Sequence, residues 1–281
     1  MNAADITFGI EFETTLPGSD DTPIGPYHNG WQVPWLPAGW RAERDGSIQT
    51  GTPDRKGCEF VSPKLSGDEG IAQVTDAIDK MNARGARVNP SCGLHITVTW
   101  NGDAVALARL ITLVANHEKA IYASTGTHSR EQGRFSRPIK QYGNANNAKW
   151  NLDSNRYHLL NLTHLASGKN RIEFRAFAGT LNKTKVIGHL LMVLGLVELA
   201  LDSKRSVGWD YNAKPGKPGP WERGTAGHGE AEVNRLFYRL GWTKGHVKSG
   251  RKYGMTGFAP ADDKAIKKEF RRLAQKYDAA R

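Results

Sequence analysis

Four short segments of the chain alternate apolar residues with acidic or imidazole side chains, at positions 9–13, 58–61, 92–98 and 171–175. In a β-strand the side chains i and i+2 point to the same face, so Glu11 and Glu13 project together, as do Arg171, Glu173 and Arg175. Together with Glu59 and His95, these side chains can line one face of one sheet. Clustered carboxylates repel one another unless cations neutralise them, and carboxylate oxygens suit Mg²⁺ or Mn²⁺. The pattern predicts an enzyme that handles phosphates.

The candidate metal ligands are four carboxylates and one imidazole: Glu11, Glu13, Glu59, His95 and Glu173. This oxygen-rich set fits Mg²⁺ or Mn²⁺ better than structural Zn²⁺, which favours cysteine. The two cysteines, Cys58 and Cys92, alternate onto the opposite strand faces from Glu59 and His95. We therefore expect both to be small buried hydrophobic side chains.

The remaining pattern predicts the elements that must position these residues. A further strand is predicted over Arg156–Leu162. The strand-like segments are interrupted by separate helical patterns at about 68–84, 104–123, 184–200, 230–240 and 262–277. Without regular βαβ alternation, this order favours an α+β fold around a mainly antiparallel sheet. Residues 124–152 have little periodicity, and we expect a loop there. Its Arg130, Arg134 and Arg137 predict either a phosphate-covering loop or a solvated face.

Composition restricts the class of protein. The chain has 281 residues, of which 38% are hydrophobic and 24% charged, as in soluble globular proteins. The longest apolar run, Val186 to Leu201, is too short and too interrupted to span a bilayer, so we expect a buried helix and no membrane partner. Two cysteines and a start without a signal-peptide pattern predict a cytoplasmic protein.

The net charge of +11 is placed unevenly. Residues 203–281 contain 18 Lys and Arg against 8 Asp and Glu, whereas the preceding 202 residues contain 21 against 20. This asymmetry concerns binding partners rather than the fold. It predicts that the C-terminal segment recruits an acidic macromolecule or nucleic acid, with a merely solvated basic surface as the alternative.

In this order the motifs resemble those of the glutamine synthetase-like carboxylate–amine ligases, and most closely the amidoligase family. The resemblance covers residues 6–202. It implies a curved, mainly antiparallel sheet of the glutamine synthetase catalytic-domain type, with helices packed on one face. The implied domains are a catalytic domain at 1–205 and a basic linker with a helical C-terminal extension at 206–281.

The resemblance also implies roles for individual residues. Gly9-x-Glu11-x-Glu13 is similar to the family strand whose two glutamates contact separate metal ions, and Glu59, His95 and Glu173 match further metal ligands. In the Arg-x-Glu-x-Arg strand the arginines face nucleotide phosphates.

The nucleotide side is implied less completely. Arg171 and Arg175 match the family arginines, and Arg156 is added as a weaker candidate. Thr97 stands where glutamine synthetases have a second histidine, which contacts nucleotide in those enzymes. We keep Thr97 as a nucleotide-side residue.

The resemblance implies ATP and two Mg²⁺ or Mn²⁺ ions as cofactors and a reaction that joins a carboxylate to an amine through an acyl phosphate. Asp45 and Ser47 are candidates for the amine side, where a carboxylate can accept the proton of the attacking amine. The alternative for this pair is an Asp-Gly turn held by its own hydrogen bonds. The chain has no counterpart of the small N-terminal domain of glutamine synthetase, which makes free ammonia a questionable substrate.

Three other readings stay open on the sequence alone. The same fold also includes kinases that stop at phosphorylation, clustered carboxylates also serve metal-dependent nucleases, and the basic segment suits a nucleic-acid-binding protein. ATP separates the first from the second, because a nuclease needs none. The sequence identifies neither the amine nor the carboxylate substrate.

Overall fold

The computed structural model describes residues 5–203, 208–209, 228–242 and 260–280. Its centre is a seven-stranded sheet with strand order β2-β3-β4-β1-β5-β7-β6, in which all paired strands are antiparallel. The strands are β1 Phe8–Pro17, β2 Trp31–Gln32, β3 Arg41–Glu43, β4 Arg55–Val61, β5 Gly93–Thr99, β6 Leu160–Asn161 and β7 Arg171–Ala178. The predicted antiparallel sheet is confirmed.

Alternation along the central strands gives the sheet two different faces. One face carries Phe12, Ile96 and Phe174, which are buried in a single hydrophobic core. The other face carries the glutamates, which lie one residue away along the same strands. The sequence forms this sheet because its apolar residues occur with period two, and the resulting register is what brings the polar residues of distant segments together.

Eight α-helices lie in the described part of the chain: α1 Gly67–Ala83, α2 Ala104–Ala123, α3 Ser129–Gln132, α4 Ala145–Ser154, α5 Thr163–Ala166, α6 Lys183–Asp202, α7 His228–Leu240 and α8 Pro260–Ala279. A short 3-10 helix spans Lys140–Tyr142. Side-chain caps fix where the two long core helices begin. Asp103 accepts a hydrogen bond from the Ala106 N–H at 2.7 Å, and Asn182 accepts one from the Lys185 N–H at 3.1 Å.

Helix α6 is buried from Val186 to Ala200, as its mainly apolar composition predicts, and His189 and Glu198 are buried with it. Among the described helices it alone has the length and hydropathy that a membrane span needs, but 83% of its apolar window is buried inside the protein. It is therefore a core helix of this fold, packed against α2 and α8.

The two C-terminal helices pack on the same core as the sheet. Helix α7 contacts α2, and α8 contacts α6 and α7. Phe237 of α7 and Phe270 and Tyr277 of α8 are fully buried in the common hydrophobic cluster. The division at 205/206 stays a prediction. Most of the predicted linker, at 210–227, and residues 243–259 lie outside the described residues.

Two local predictions are wrong. Residues 145–154 form α4 rather than a loop, because Ala148 and Leu152 supply a buried i, i+4 pair and Asn144 caps the helix by accepting the Asn147 N–H at 2.9 Å. The strand predicted over 156–162 is reduced to Leu160–Asn161.

Candidate active site

The sheet register places the predicted metal ligands in one row across four strands. Glu59 of β4 pairs with Glu13 of β1, and Glu11 pairs with His95 of β5. Thr97 of β5 then pairs with Glu173 of β7. Directly paired residues point to the same face, so the five predicted ligands and Thr97 face one side of the sheet.

His95 lies at the centre of the row. Its Nδ1 is 3.4 Å from Glu11 Oε2, 3.7 Å from Glu173 Oε1 and 3.8 Å from Glu59 Oε1, and its Nε2 is 3.5 Å from Glu13 Oε1. Only 3% of the imidazole is exposed. One histidine therefore has four carboxylates around it.

Burial and charge shift the protonation of this cluster. Burial, assisted by the Arg175 guanidinium, lowers the pKa of His95 to about 4. Burial and the neighbouring carboxylates Glu11 and Glu13 hold the pKa of Glu59 well above its ordinary value, and burial also raises the pKa of Glu11. At Glu11 and Glu59, burial outweighs the effect of any nearby cation, and the imidazole of His95 is neutral and can donate its lone pair.

The cluster fits divalent cations. Ligand atoms of Glu11, Glu59 and His95 lie within 4.8 Å of one another, and so do those of Glu13, Asp45 and Glu59. The buried Nε2 of His95 has no hydrogen-bond partner. Buried carboxylates are retained when they coordinate metals or are paired, and neither set has enough cationic side chains to pair every carboxylate.

Two ligands are held in place by neighbouring groups. Glu173 accepts hydrogen bonds from Arg175 Nη1 at 2.6 Å and from Asn161 Nδ2 at 2.5 Å. Glu13 accepts the Gly93 N–H at 2.5 Å. Arg175 lies beside Glu173 because residues i and i+2 of a strand share a face. Strand β7 also has a bulge at this point, where Leu94 pairs with Phe177 but Ile96 pairs with Phe174. The site is thus pre-organised by the sheet.

A cavity of about 750 Å³ covers this face of the sheet, and we call it the main cavity. Its floor is acidic and its rim is basic. The basic rim side chains are Arg41, Lys64, Arg156, Lys169 and Arg171. Arg156 Nη2 donates to the Tyr27 hydroxyl at 3.0 Å, and Arg171 Nη2 lies 3.4 Å from His164 Nδ1. A cationic rim above a metal-binding floor suits a polyanion.

The main cavity is lined by all the residues predicted to contact the nucleotide: Thr97, Arg156, Arg171 and Arg175. Asp45 lines it as well. The turn expected as the alternative role of Asp45 is also present, because Ser47 N–H donates to Asp45 Oδ1 at 2.6 Å. Ser47 itself does not line the cavity.

The arginines of residues 124–152 have a different placement. Arg130 is buried and donates to the Arg175 carbonyl at 2.8 Å. Arg134 lies over the rings of Phe135 and Tyr157, at 4.9 Å and 5.9 Å. None of these arginines lines the main cavity.

Sequence analysis missed two polar residues of the site. Glu43 of β3 is buried, pairs with Glu59 and accepts the His28 N–H at 3.0 Å. Asn161 holds Glu173 from the edge strand. Each has a signal in the sequence: Glu43 follows the alternating run that begins at Trp40, and Asn161 is a polar residue inside an apolar run.

Comparison with known proteins gives one family match. Residues 25–144 match the family described as "Putative amidoligase enzyme". This confirms the resemblance over a segment that contains Glu59 and His95, and it supports an amide-forming ligase. No curated protein matches the chain by sequence.

Two solved structures are similar in overall trace. The complex between the prokaryotic ubiquitin-like protein Pup and its ligase PafA gives a TM-score of 0.45 at 11% identity, covering 99% of this chain and 65% of that chain. A bifunctional glutathione synthetase from Pasteurella multocida gives 0.36 at 12% identity, covering 99% and 53%. The chain therefore spans less than two thirds of the length of either protein.

Proposed function

We propose that the protein is an ATP- and Mg²⁺-dependent ligase that joins a carboxylate to an amine. The observation that carries the proposal is the combination, in one cavity, of a buried acidic floor around His95 and a rim of five cationic side chains. A triphosphate with divalent cations matches both charges at once, because phosphoryl transfer depends on positioning and charge neutralisation.

The reaction would proceed in two balanced steps. An oxygen of the substrate carboxylate attacks the γ-phosphorus of ATP, the bond to ADP breaks, and an acyl phosphate forms. The amine nitrogen then attacks the acyl carbon, the carbon–oxygen bond to phosphate breaks, and inorganic phosphate leaves with that electron pair. The proton lost by the amine passes to a base.

The side chains divide these tasks by position. Two Mg²⁺ or Mn²⁺ ions would be held by Glu11, Glu13, Glu59, His95 and Glu173, and when bound they would neutralise charge on the phosphate oxygens. Arg175 and Arg171, with Arg156 at the rim, would act as planar two-pronged donors to the phosphates. Thr97, which pairs with Glu173 across the neighbouring strand, would contact the nucleotide in the main cavity.

Asp45 is the proposed acceptor of the amine proton. Its carboxylate lies beside Glu13 and Glu59, and one of its oxygens is oriented by the Ser47 N–H. We expect Asp45→Asn to spare ATP binding and to slow amide formation, and equal loss of both would exclude this role.

The test is an ATP titration of the full chain with and without Mg²⁺, with ADP release followed in the same samples. The wild type should bind ATP only with the metal, and Glu173→Gln should weaken that binding. Glu69→Gln, on the exposed side of α1, is the matched control. A stable phosphorylated product without an amide would favour the kinase, and absence of ATP binding in any metal would remove both readings in favour of a nuclease.

Cytoplasmic location and an acidic macromolecular partner stay predictions. Much of the basic C-terminal surplus lies in residues 210–227 and 243–259, outside the described residues. Within α8, Arg272 pairs with Glu269 at 2.7 Å and Arg271 donates to Asn234 at 2.9 Å, so part of the basic surface is already engaged.

A further inference from the structure

A second cavity, of about 500 Å³, opens on the other side of Asp45. We call it the side pocket. Its lining residues include Thr22, Ile24, Arg44, Ile48 and Lys56, and Asp45 lines both the side pocket and the main cavity. The volume falls within the range typical of small-molecule sites. The side pocket therefore meets the proposed reaction centre at a single carboxylate.

We propose that the side pocket binds the amine substrate and that this substrate is an amino acid, with its amino group at Asp45 and its carboxylate at Arg44 and Lys56. The inference rests on the proposed ligase function. It restricts the amine substrate to molecules that also carry an anionic group. Free ammonia and polyamines are therefore excluded as the amine substrate.

Neither of the two cations of the side pocket forms a direct ion pair with a carboxylate in the described part of the chain. Arg44 is exposed, and its backbone N–H is fixed by the Gly25 carbonyl at 3.0 Å. The ammonium group of Lys56 donates to the backbone carbonyl of Asp20. The Asp20 carboxylate is engaged elsewhere, by the Thr22 N–H at 2.8 Å and Arg84 Nη1 at 3.5 Å. The side pocket thus offers two cationic groups with which an anionic group of a ligand can pair.

The order of charged residues along the two cavities determines the orientation in which a zwitterionic substrate binds. The floor of the main cavity is acidic, Asp45 stands at the junction, and Arg44 and Lys56 lie beyond it. An ammonium group is attracted to Asp45 and a carboxylate to the two cations, so a zwitterion has one favourable orientation. Ile24 and Ile48 also line the side pocket, and their apolar side chains can contact an aliphatic portion of the substrate.

Two glycines that line the side pocket differ in the space around them. A Cβ added at Gly57 would lie 3.2 Å from Ile48 Cβ, so the strand needs glycine where Ile48 packs on it. A Cβ added at Gly46 would meet nothing within 4 Å. Gly46→Leu should therefore leave the fold intact and place a side chain at the wall of the side pocket.

The experiment measures binding to the full chain saturated with Mg²⁺ and a non-hydrolysable ATP analogue. The twenty amino acids are screened as mixtures by saturation-transfer NMR. The tightest binder is then titrated by calorimetry beside its amide, which lacks the carboxylate, and beside its deaminated acid, which lacks the amine. We expect the amide and the acid each to bind about ten-fold or more weakly than the amino acid, as loss of a charged hydrogen bond predicts.

Variants locate the binding. Arg44→Gln and Lys56→Gln should each weaken the amino acid by about ten-fold without weakening the amide further, and Gly46→Leu should remove binding. Arg87→Gln, an exposed arginine outside both cavities, is the matched control. Binding of the ATP analogue in the same samples reports that each variant is folded.

The inference is wrong if no amino acid binds, if the amide binds as tightly as the amino acid, or if the three variants bind like the control. An equally tight deaminated acid would instead make the side pocket the carboxylate site, which also overturns it. If the nucleotide does not bind, the ligase proposal is wrong. The amino-acid titration is also repeated without nucleotide, so it still decides what the side pocket holds. The two proposals can therefore fail independently.

Discussion

The two faces of the central sheet differ in what they contribute to the protein. Glu173 and Phe174 are neighbours on β7, yet Phe174 is buried in the apolar core and Glu173 faces the main cavity. Burying a phenylalanine stabilises the fold by about 1.5–3 kcal/mol. Burying carboxylates without enough counter-charge destabilises it. One face of the sheet holds the fold together, and the other maintains an electrostatic strain that bound cations can relieve.

The largest effect should follow from a change on the apolar face. Phe174→Ala should lower the free energy of unfolding by about 3–5 kcal/mol, because it leaves a cavity in the core. Urea unfolding measures this, and Mg²⁺-dependent ATP binding per folded molecule should be retained. Trp150→Ala, at a side chain that is 81% exposed, is the control and should change stability by about 0.5 kcal/mol or less.

A substitution of the neighbouring residue on the polar face should have the opposite outcome: activity should fall strongly and stability should change little. Glu173→Gln should slow ADP release by about 10²–10³-fold, as loss of one charge-stabilising group does in other enzymes. Its unfolding midpoint in urea should move far less than that of Phe174→Ala. A large loss of stability would mean that Glu173 serves the fold, and the contrast between the faces would fail.

Mg²⁺ bound at the polar face should raise the unfolding free energy of the protein by a smaller amount. At ten times its dissociation constant, Mg²⁺ should add about 1.4 kcal/mol to the unfolding free energy of the wild type. Glu59→Gln should lack most of this gain.

The same variant should be more stable than the wild type without metal, and increasingly so as pH rises. The folded state raises the pKa of Glu59, so it holds more protons than the unfolded state, and stability falls with pH in that window. Thermal unfolding at pH 6 and pH 8 measures the stability difference between the two proteins and its change with pH. A metal-free Glu59→Gln that is less stable than the wild type at pH 8 would argue against strain on this face.

The smallest effect concerns a histidine on the core side. His189 is buried between the rings of Phe177 and Phe270, and burial lowers its pKa to about 3. The folded pKa lies below the unfolded value, so its contribution is fully present above about pH 6.5 and is lost as pH falls toward 3.

Between pH 7 and pH 5.5 this loss is about 1 kcal/mol. His189→Gln should reduce the slope of stability against pH by that amount, whatever its constant effect on packing. Unfolding at a series of pH values with Mg²⁺ present measures the slope, and an unchanged slope would contradict the prediction.

The sequence predicted the fold where period-two or helical spacing is strong. The alternating segments around Glu11, His95 and Glu173 became the central strands, and α2 and α6 lie within a few residues of their predicted bounds. Helix α4 was missed because only Ala148 and Leu152 of its ten residues are buried, which leaves almost no periodic apolar signal.

The site was predictable to the extent that it lies on those strands. All five predicted ligands surround one point because strand register converts motifs that are far apart in sequence into cross-strand neighbours. Glu43 and the side pocket were not predicted because they depend on short strands and turns between Trp31 and Ile48, whose pairing with β4 comes from tertiary packing. The roles assigned to all these residues stay predictions until the variants are measured.

The position of helix α8 determines how the basic segment can be studied. Tyr277 packs against His128 with tilted rings whose centroids are 3.7 Å apart. Helix α3, which follows His128, carries the Arg130 that donates to the Arg175 carbonyl. Removing the C-terminal helices would expose the core and disturb the wall of the nucleotide site, so a truncated chain would fail in binding assays for reasons unrelated to charge. Neutralising exposed lysines such as Lys264 and Lys268 in the intact chain tests the effect of charge without the loss of structure. For the same reason, an affinity tag is better placed away from the C-terminal helices.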